Sequence, residues 1–175
     1  IVHADEATEA NLARLARLEA GVLVQNRLIL KGGDYVDAWG AGPTASAPPL
    51  GTMRRLGLRI GGGTDATRAN WFSPWASIWW LVTGETLDGR GVRDPQHRLS
   101  VTDAVDGELT RDAAWFTGEQ AHRGRIAPGY DADVCVPSLD PFACAATELP
   151  RIMSELTVMD GRITHLTPVL ADGRT

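Results

Sequence analysis

Two side chains of the kind that bind divalent metals stand shortly after short apolar segments. His3 follows Ile1-Val2, and Asp65 follows residues 58–60 and a run of three glycines. Imidazole nitrogen and carboxylate oxygen are both zinc ligands. In a parallel α/β barrel the residues at the carboxyl ends of strands line the mouth of the active site. If both apolar segments are such strands, the two side chains suit a site that holds a divalent metal and activates a water molecule.

Each of these residues also has a purely structural interpretation. A single histidine near a strand end is more often not a ligand, and an aspartate after glycines is typical of a turn or a helix cap. The run from Gly61 to Asp65 also suggests a phosphate loop. It matches neither GxGxxG nor GxxxxGK[ST], which argues against nucleotide binding.

The elements that must position these residues alternate between helix and strand. Leucines at three-residue spacing predict a helix over residues 8–19, capped by Thr8. Apolar runs at 22–24 and 58–60 predict buried strands. Between them, the glycine-rich residues 26–47 are interpreted as a long loop, followed by a short helix. The alternation favours parallel βαβ units, with the two strands as neighbours.

The next part of the sequence predicts further helices. Residues 74–82 form one that carries three tryptophans, interpreted as core or as the lining of an apolar substrate pocket. Ser100, with Asp103 three positions later, resembles a capping box that opens a second helix, which Gly107 is expected to end. Thr110 is a candidate cap for a third, reaching Phe116.

Antiparallel β-structure is predicted at the end of the chain. Residues 132–136 and 156–159 are expected strands, and Asp160-Gly161 is a strong signal for a two-residue hairpin turn. The change in character near residue 123 predicts two domains, 1–122 and 123–175.

The order of these features resembles the amidohydrolase superfamily, and most closely the group called amidohydrolase family 3, which includes N-acyl amino acid deacylase-like enzymes. In that family a His closes the sixth barrel strand, a Gln tends to follow the seventh, and Gly-Ser/Thr-Asp closes the eighth. The matching segments are residues 2–4, 21–25, 57–66, 123–134, 140–142 and 157–163.

The resemblance implies an α/β fold: the C-terminal strands and helices of a metal-dependent hydrolase (β/α)8 TIM barrel in 1–122, and part of a small composite β-sandwich in 123–175. It implies that His3 is a metal ligand, and that Asp65 faces the metal and acts as general base. The cofactor would be one or two divalent ions, zinc in the first instance. Gln25 is a candidate substrate contact by the same resemblance. Arg68 and Trp71 are candidates because they lie just after Asp65 on the predicted mouth loop.

The composition and charge of the chain argue against several classes of function. The net charge is −5 with a single lysine, so no basic stripe favours nucleic acid. No segment approaches the roughly 18 consecutive apolar residues of a membrane span. Cys135 and Cys144 fit no metal-binding spacing, and we expect reduced thiols in a cytoplasmic protein. The start at Ile1, without Met or signal peptide, leads us to expect further sequence upstream that carries the His-x-His metal motif.

Two hypotheses of function follow. The first is hydrolysis of a non-peptide amide or cyclic amide by a metal-activated water, with this chain inactive alone and either self-associating or joined to the N-terminal half of the same protein. The second is a non-catalytic amidohydrolase-like protein kept for binding or assembly.

The remaining histidines are expected to be solvated: His97, His122 and His165.

Overall fold

The computed structural model describes residues 1–66, 71–90 and 93–171. Its α-helices are α1 (Glu9–Arg17), α2 (Leu28–Trp39), α3 (Ala41–Ala45), α4 (Leu50–Arg55), α5 (Pro74–Thr83), α6 (Val101–Glu108), α7 (Arg111–Thr117) and α8 (Pro168–Ala171). Its strands are β1 (Val22–Leu23), β2 (Ile60–Gly61), β3 (Val134–Pro137), β4 (Ser154–Met159) and β5 (Arg162–Leu166). Short 3₁₀ turns lie at Pro95–His97 and Ala146–Arg151.

The first half of the fold is built on neighbouring parallel strands, as the sequence predicts. In the pairing of β1 with β2, Val22 lies opposite Ile60. On the other side of β1, Val2 forms a parallel bridge to Leu23. The order in space is therefore the segment around Val2, then β1, then β2, with all three running in the same direction. The second strand begins at Ile60, two residues later than predicted.

The interpretation of residues 26–47 as a loop is wrong, because α2 and α3 occupy most of that segment. The apolar side of α2 is buried through Leu28 and Ile29. Gly33 of α2 is a contact position: a Cβ built on it would lie 2.0 Å from Asp88 Oδ2 and 2.3 Å from Arg90 Nη2. A glycine inside a helix can mark a close neighbour rather than a break, and here it does.

The tryptophans of α5 belong to the core. Trp80 is 1% exposed, and Trp75 and Trp79 are also buried. The helix packs against the 3₁₀ turn Ala146–Arg151, where Leu149 is fully buried. The core interpretation of these aromatic side chains is thus confirmed, and their interpretation as the lining of a substrate pocket is wrong.

Helices α6 and α7 follow in the predicted order. The Ser100 hydroxyl accepts a hydrogen bond from the Asp103 N–H (3.1 Å), which confirms the cap of α6. Gly107 does not end α6, as expected from the sequence, but lies inside it and is buried. Its close approach to β2 explains the residue: a Cβ at Gly107 would lie 2.6 Å from the Ile60 carbonyl oxygen.

The end of the chain forms an antiparallel sheet in the order β3-β4-β5. β4 and β5 are joined at Asp160-Gly161, where both residues have positive φ (50° and 71°), as a two-residue hairpin turn requires. The Asp160 N–H donates to Asp133 Oδ1 (2.8 Å), which ties the turn to the segment before β3. The division into two domains stays a prediction. In the described parts of the chain no helix is long and apolar enough to cross a membrane.

Candidate active site

The segments that leave the parallel strands stay side by side. The His3 N–H donates to the Leu23 carbonyl (2.8 Å), and the Asn26 N–H donates to the Gly63 carbonyl (3.2 Å). Because the strands run in the same direction, the residues that follow them lie at one edge of the sheet. His3, Gln25 and Asp65 are therefore placed at the carboxyl ends of three neighbouring strand segments, where barrel enzymes place their chemistry.

The backbone is unusual at two of these positions. His3 has φ of 73°, Ala4 of 61° and Asp65 of 48°, values that residues with a Cβ seldom adopt. Such conformations cost free energy and persist where the surrounding fold imposes them, which is often at functional sites. Both residues that the resemblance marks as metal ligands are thus among the non-glycine residues with positive φ, together with Ala4, Glu19 and Asp160.

Buried polar atoms without a hydrogen-bond partner in the described residues gather at this edge, on His3 and Gln25 and also on Asp5 (Oδ1) and Arg27 (Nε). His3 Nδ1 and Gln25 Oε1 are buried, with no hydrogen-bond partner in the described residues. Gln25 lies beside the β2 exit, because a Cβ built on Gly63 would be 3.9 Å from Gln25 Cγ. A buried polar atom left unpaired calls for an explanation, and an unsatisfied imidazole nitrogen fits a role as a metal ligand.

The described residues supply only part of a metal centre. His3 offers a nitrogen and the exposed Asp65 offers carboxylate oxygens, both of the right chemical type. In the described part of the chain, no three His, Cys, Asp or Glu side chains lie close enough together to hold a metal ion. Because zinc normally takes four ligands, these two residues would hold an ion only together with other donors.

Sequence reasoning missed an ion pair beside this edge. Asp5 is 7% exposed, and Arg27 donates to its carboxylate. Burial lowers the pKa of Arg27, but the hydrogen bond to Asp5 and the negative charges of Asp5, Tyr35 and Asp65 outweigh it, so the pKa is raised. The guanidinium also lies 5.8 Å from the centre of the Tyr35 ring. Arg27 therefore responds to the charge of Asp65 and belongs to the electrostatics of the candidate site.

The spacing in the sequence contained a signal for this pair. Asp5 follows His3 by two residues, and Arg27 follows Gln25 by two. Asp5 and Arg27 therefore follow two neighbouring strands at the same distance, and their opposite charges favour an ion pair.

The remaining predicted substrate contacts stay predictions. Arg68 lies outside the described residues. Trp71 and Phe72 are 51% and 80% exposed, on the chain that leads into α5. Their exposure does not assign either side chain a substrate contact.

The expectation of a solvated His97 is wrong, since that residue is 8% exposed. Its turn packs on α4, where a Cβ at Gly51 would lie 3.2 Å from His97 Nδ1. Burial is the main cause that lowers the pKa of His97. The other two histidines are exposed as expected: His122 Nδ1 lies 2.9 Å from Asp131, and His165 Nε2 lies 3.0 Å from the Ser154 carbonyl oxygen.

The parallel strands and the helices that follow them define an α/β fold, and the comparisons with known proteins place that fold in a family. The chain superposes on a metal-dependent hydrolase from Pyrococcus furiosus with a TM-score of 0.64 and 25% identity, over 81% of this chain and 28% of that one. The profile of a family described as "Amidohydrolase family" matches residues 1–165. The chain belongs to the amidohydrolase family. Both the resemblance and the fold class predicted from the sequence are thereby confirmed.

Two curated relatives support the same conclusion. The Bacillus subtilis (strain 168) protein YtcJ, named as an amidohydrolase, is 27% identical over 169 residues, which are 94% of this chain and 31% of the relative. The N-substituted formamide deformylase of Arthrobacter pascens is 26% identical over 117 residues, which are 67% of this chain and 21% of the relative. The chain thus spans no more than a third of the length of either.

Proposed function

We propose that this chain is the part of a metal-dependent amidohydrolase that carries the last ligands of the metal and the general base, and that the whole protein hydrolyses a non-peptide C–N bond. The observation that supports this most is the placement of His3 and Asp65 at the carboxyl ends of parallel strands, with His3 Nδ1 buried and unpaired in the described chain. The similarity to a formamide deformylase agrees with an amide or cyclic amide as substrate.

In this proposal His3 and Asp65 would hold a divalent ion, zinc in the first instance, His3 through Nδ1 and Asp65 through a carboxylate oxygen. Bound zinc supplies Lewis acidity and lowers the pKa of water toward about 7. The carboxylate of Asp65 then accepts a proton from the attacking water and delivers it to the leaving nitrogen. Gln25 and Trp71 would contact the substrate, and Arg68, outside the described residues, would complete that surface.

Three further expectations remain part of the proposal. The 175-residue chain alone is inactive, because two ligands do not fix the geometry of a hydrolytic metal. Its partners are a small amide substrate and either a second copy or the N-terminal half of the same protein, and its location is cytoplasmic. A non-catalytic relative is the alternative, and the whole protein would then bind metal weakly and show no turnover.

The test compares His3→Ala with Asp65→Asn in the whole protein, by bound zinc and by kcat on an N-substituted formamide. Asp65→Asn removes the proton acceptor, so kcat should fall by roughly 100- to 10,000-fold while zinc is largely retained. His3→Ala should lose zinc, and excess zinc should restore part of the activity. The control is Asp34→Asn, an exposed carboxylate on α2. An Asp65→Asn enzyme within about threefold of wild type would remove Asp65 from the mechanism.

A further inference from the structure

Glu108, the last residue of α6, places a half-buried carboxyl group next to the strand that leads to Asp65. Its Oε2 accepts a hydrogen bond from the Ser77 hydroxyl of α5 (2.9 Å). Burial raises the pKa of Glu108 to about 7, and the bond from Ser77 opposes this only in part. The carboxyl group is therefore largely protonated at slightly acidic pH and ionises near neutrality.

The carboxyl group of Glu108 lies directly against Gly62. A Cβ built on Gly62 would be 1.8 Å from Glu108 Oε2 and 2.9 Å from its Cδ. The Gly62 N–H donates to the Gly107 carbonyl (3.0 Å), so the end of α6 is joined to the exit of β2 by a hydrogen bond and by side-chain packing. Gly62 precedes Asp65 by three residues, and the backbone between them ends in the positive φ of Asp65.

The charged groups on neighbouring elements are engaged elsewhere. Helix α5 and strand β2 contain no titratable side chain. Helix α7 brings Arg111, which pairs with Asp106, and Asp112, which pairs with Arg59. Burial and the bond from Ser77 are the two causes that act on the pKa of Glu108. Within the described chain, this carboxyl group is thus held by the Ser77 hydroxyl and by contact with the backbone at Gly62.

We propose that Glu108 is a positioning residue for Asp65: its carboxyl group, held by Ser77, packs against Gly62 and fixes the backbone from Gly62 to Asp65. The role of Asp65 rests on the proposed function, but the packing relationship does not. An ionised carboxylate is poorly accommodated at this position, because burial disfavours the charged form. The segment that carries Asp65 therefore responds to the proton on Glu108.

A titration followed by NMR tests this in the ¹⁵N-labelled chain. From about pH 5 to about pH 9, the amide shifts of Gly63 and Asp65 should follow a transition with a midpoint near 7. Glu108→Gln should abolish that transition, and the exposed Glu85→Gln should leave it in place. Ser77→Ala, which removes a bond that lowers the pKa of Glu108, should move the midpoint upward. Amide shifts at Gly63 and Asp65 that do not change with pH, or that titrate unchanged in Glu108→Gln, would overturn the proposal.

Enlarging residue 62 and then shortening residue 108 tests the contact between Gly62 and Glu108 independently of pH. Gly62→Ala should displace the segment from 62 to 65, because the new methyl group overlaps the carboxyl group, and amide exchange there should accelerate. Gly62→Ala combined with Glu108→Ala should restore much of the protection, since the methyl group then has room. If the amides of residues 62–65 are no better protected in the double variant than in Gly62→Ala, the proposal is contradicted. Both readouts need no turnover. If they behave as expected while the Asp65→Asn protein retains its kcat, the hydrolase mechanism fails and the packing relationship survives.

Discussion

Arg27 donates a hydrogen bond to the buried carboxylate of Asp5, and so joins the segment after His3 to the segment after Gln25. The pair bridges two neighbouring strand exits close enough to Asp65 that its charge contributes to the pKa of Arg27. A third of the Arg27 side chain remains exposed, whereas that of Asp5 is 4% exposed. Breaking the pair is therefore unfavourable mainly because it leaves the buried carboxylate of Asp5 without its partner.

Replacing Arg27 with Met retains the apolar stem and removes the guanidinium. The chain should lose roughly 1–3 kcal/mol of unfolding free energy, less than for a fully buried pair because solvent screens Arg27. Urea unfolding at neutral pH measures this. The control is Arg55→Met, which breaks an exposed pair with Glu9 and should give no measurable change. Equal effects of the two substitutions would show that burial of Asp5 does not matter.

The stability of the chain should depend on the proton of Glu108. The folded-state pKa is raised to about 7 from 4.5, so the folded state binds that proton more tightly than the unfolded state. The resulting stabilisation is complete below about pH 4.5 and is lost as the pH rises through about 7, by on the order of 3 kcal/mol. Unfolding free energies of wild type and Glu108→Gln, subtracted at each pH, isolate this contribution. A difference that stays constant across this range would contradict it.

Gly107→Ala should destabilise the protein although alanine favours helix. The new Cβ would lie 2.6 Å from the Ile60 carbonyl oxygen, and backbone cannot yield as a side chain can. We expect a loss of about 1–3 kcal/mol, which outweighs a gain in helix propensity of about 1 kcal/mol. The matched control is Gly42→Ala in α3, where a Cβ would meet nothing within 4 Å and only the propensity gain remains. Thermal unfolding of both variants shows whether each substitution raises or lowers the stability of the protein.

Glycine shows why sequence reasoning about the fold succeeded in some places and failed in others. At Asp160-Gly161 the local turn geometry requires positive φ, so the hairpin is predictable from two residues. At Gly33 and Gly107 the glycine lies inside a helix and makes room for a group from a distant part of the chain. A local pattern cannot distinguish these two uses, which is why the glycines of residues 26–47 predict a loop where the structure has helices.

By itself the sequence determined the parallel strand neighbours, the cap of α6 and the hairpin, and its resemblance to a known family supplied the family and the candidates His3 and Asp65. The strands, the cap and the hairpin follow from periodicity, capping and spacing, which act between residues close along the chain. The tertiary structure decided what Arg27 pairs with, that His97 is buried, and that Glu108 packs behind the strand leading to Asp65. The burial of His97 and Glu108 depends on groups far away along the chain, and burial of that kind leaves no local trace in the sequence.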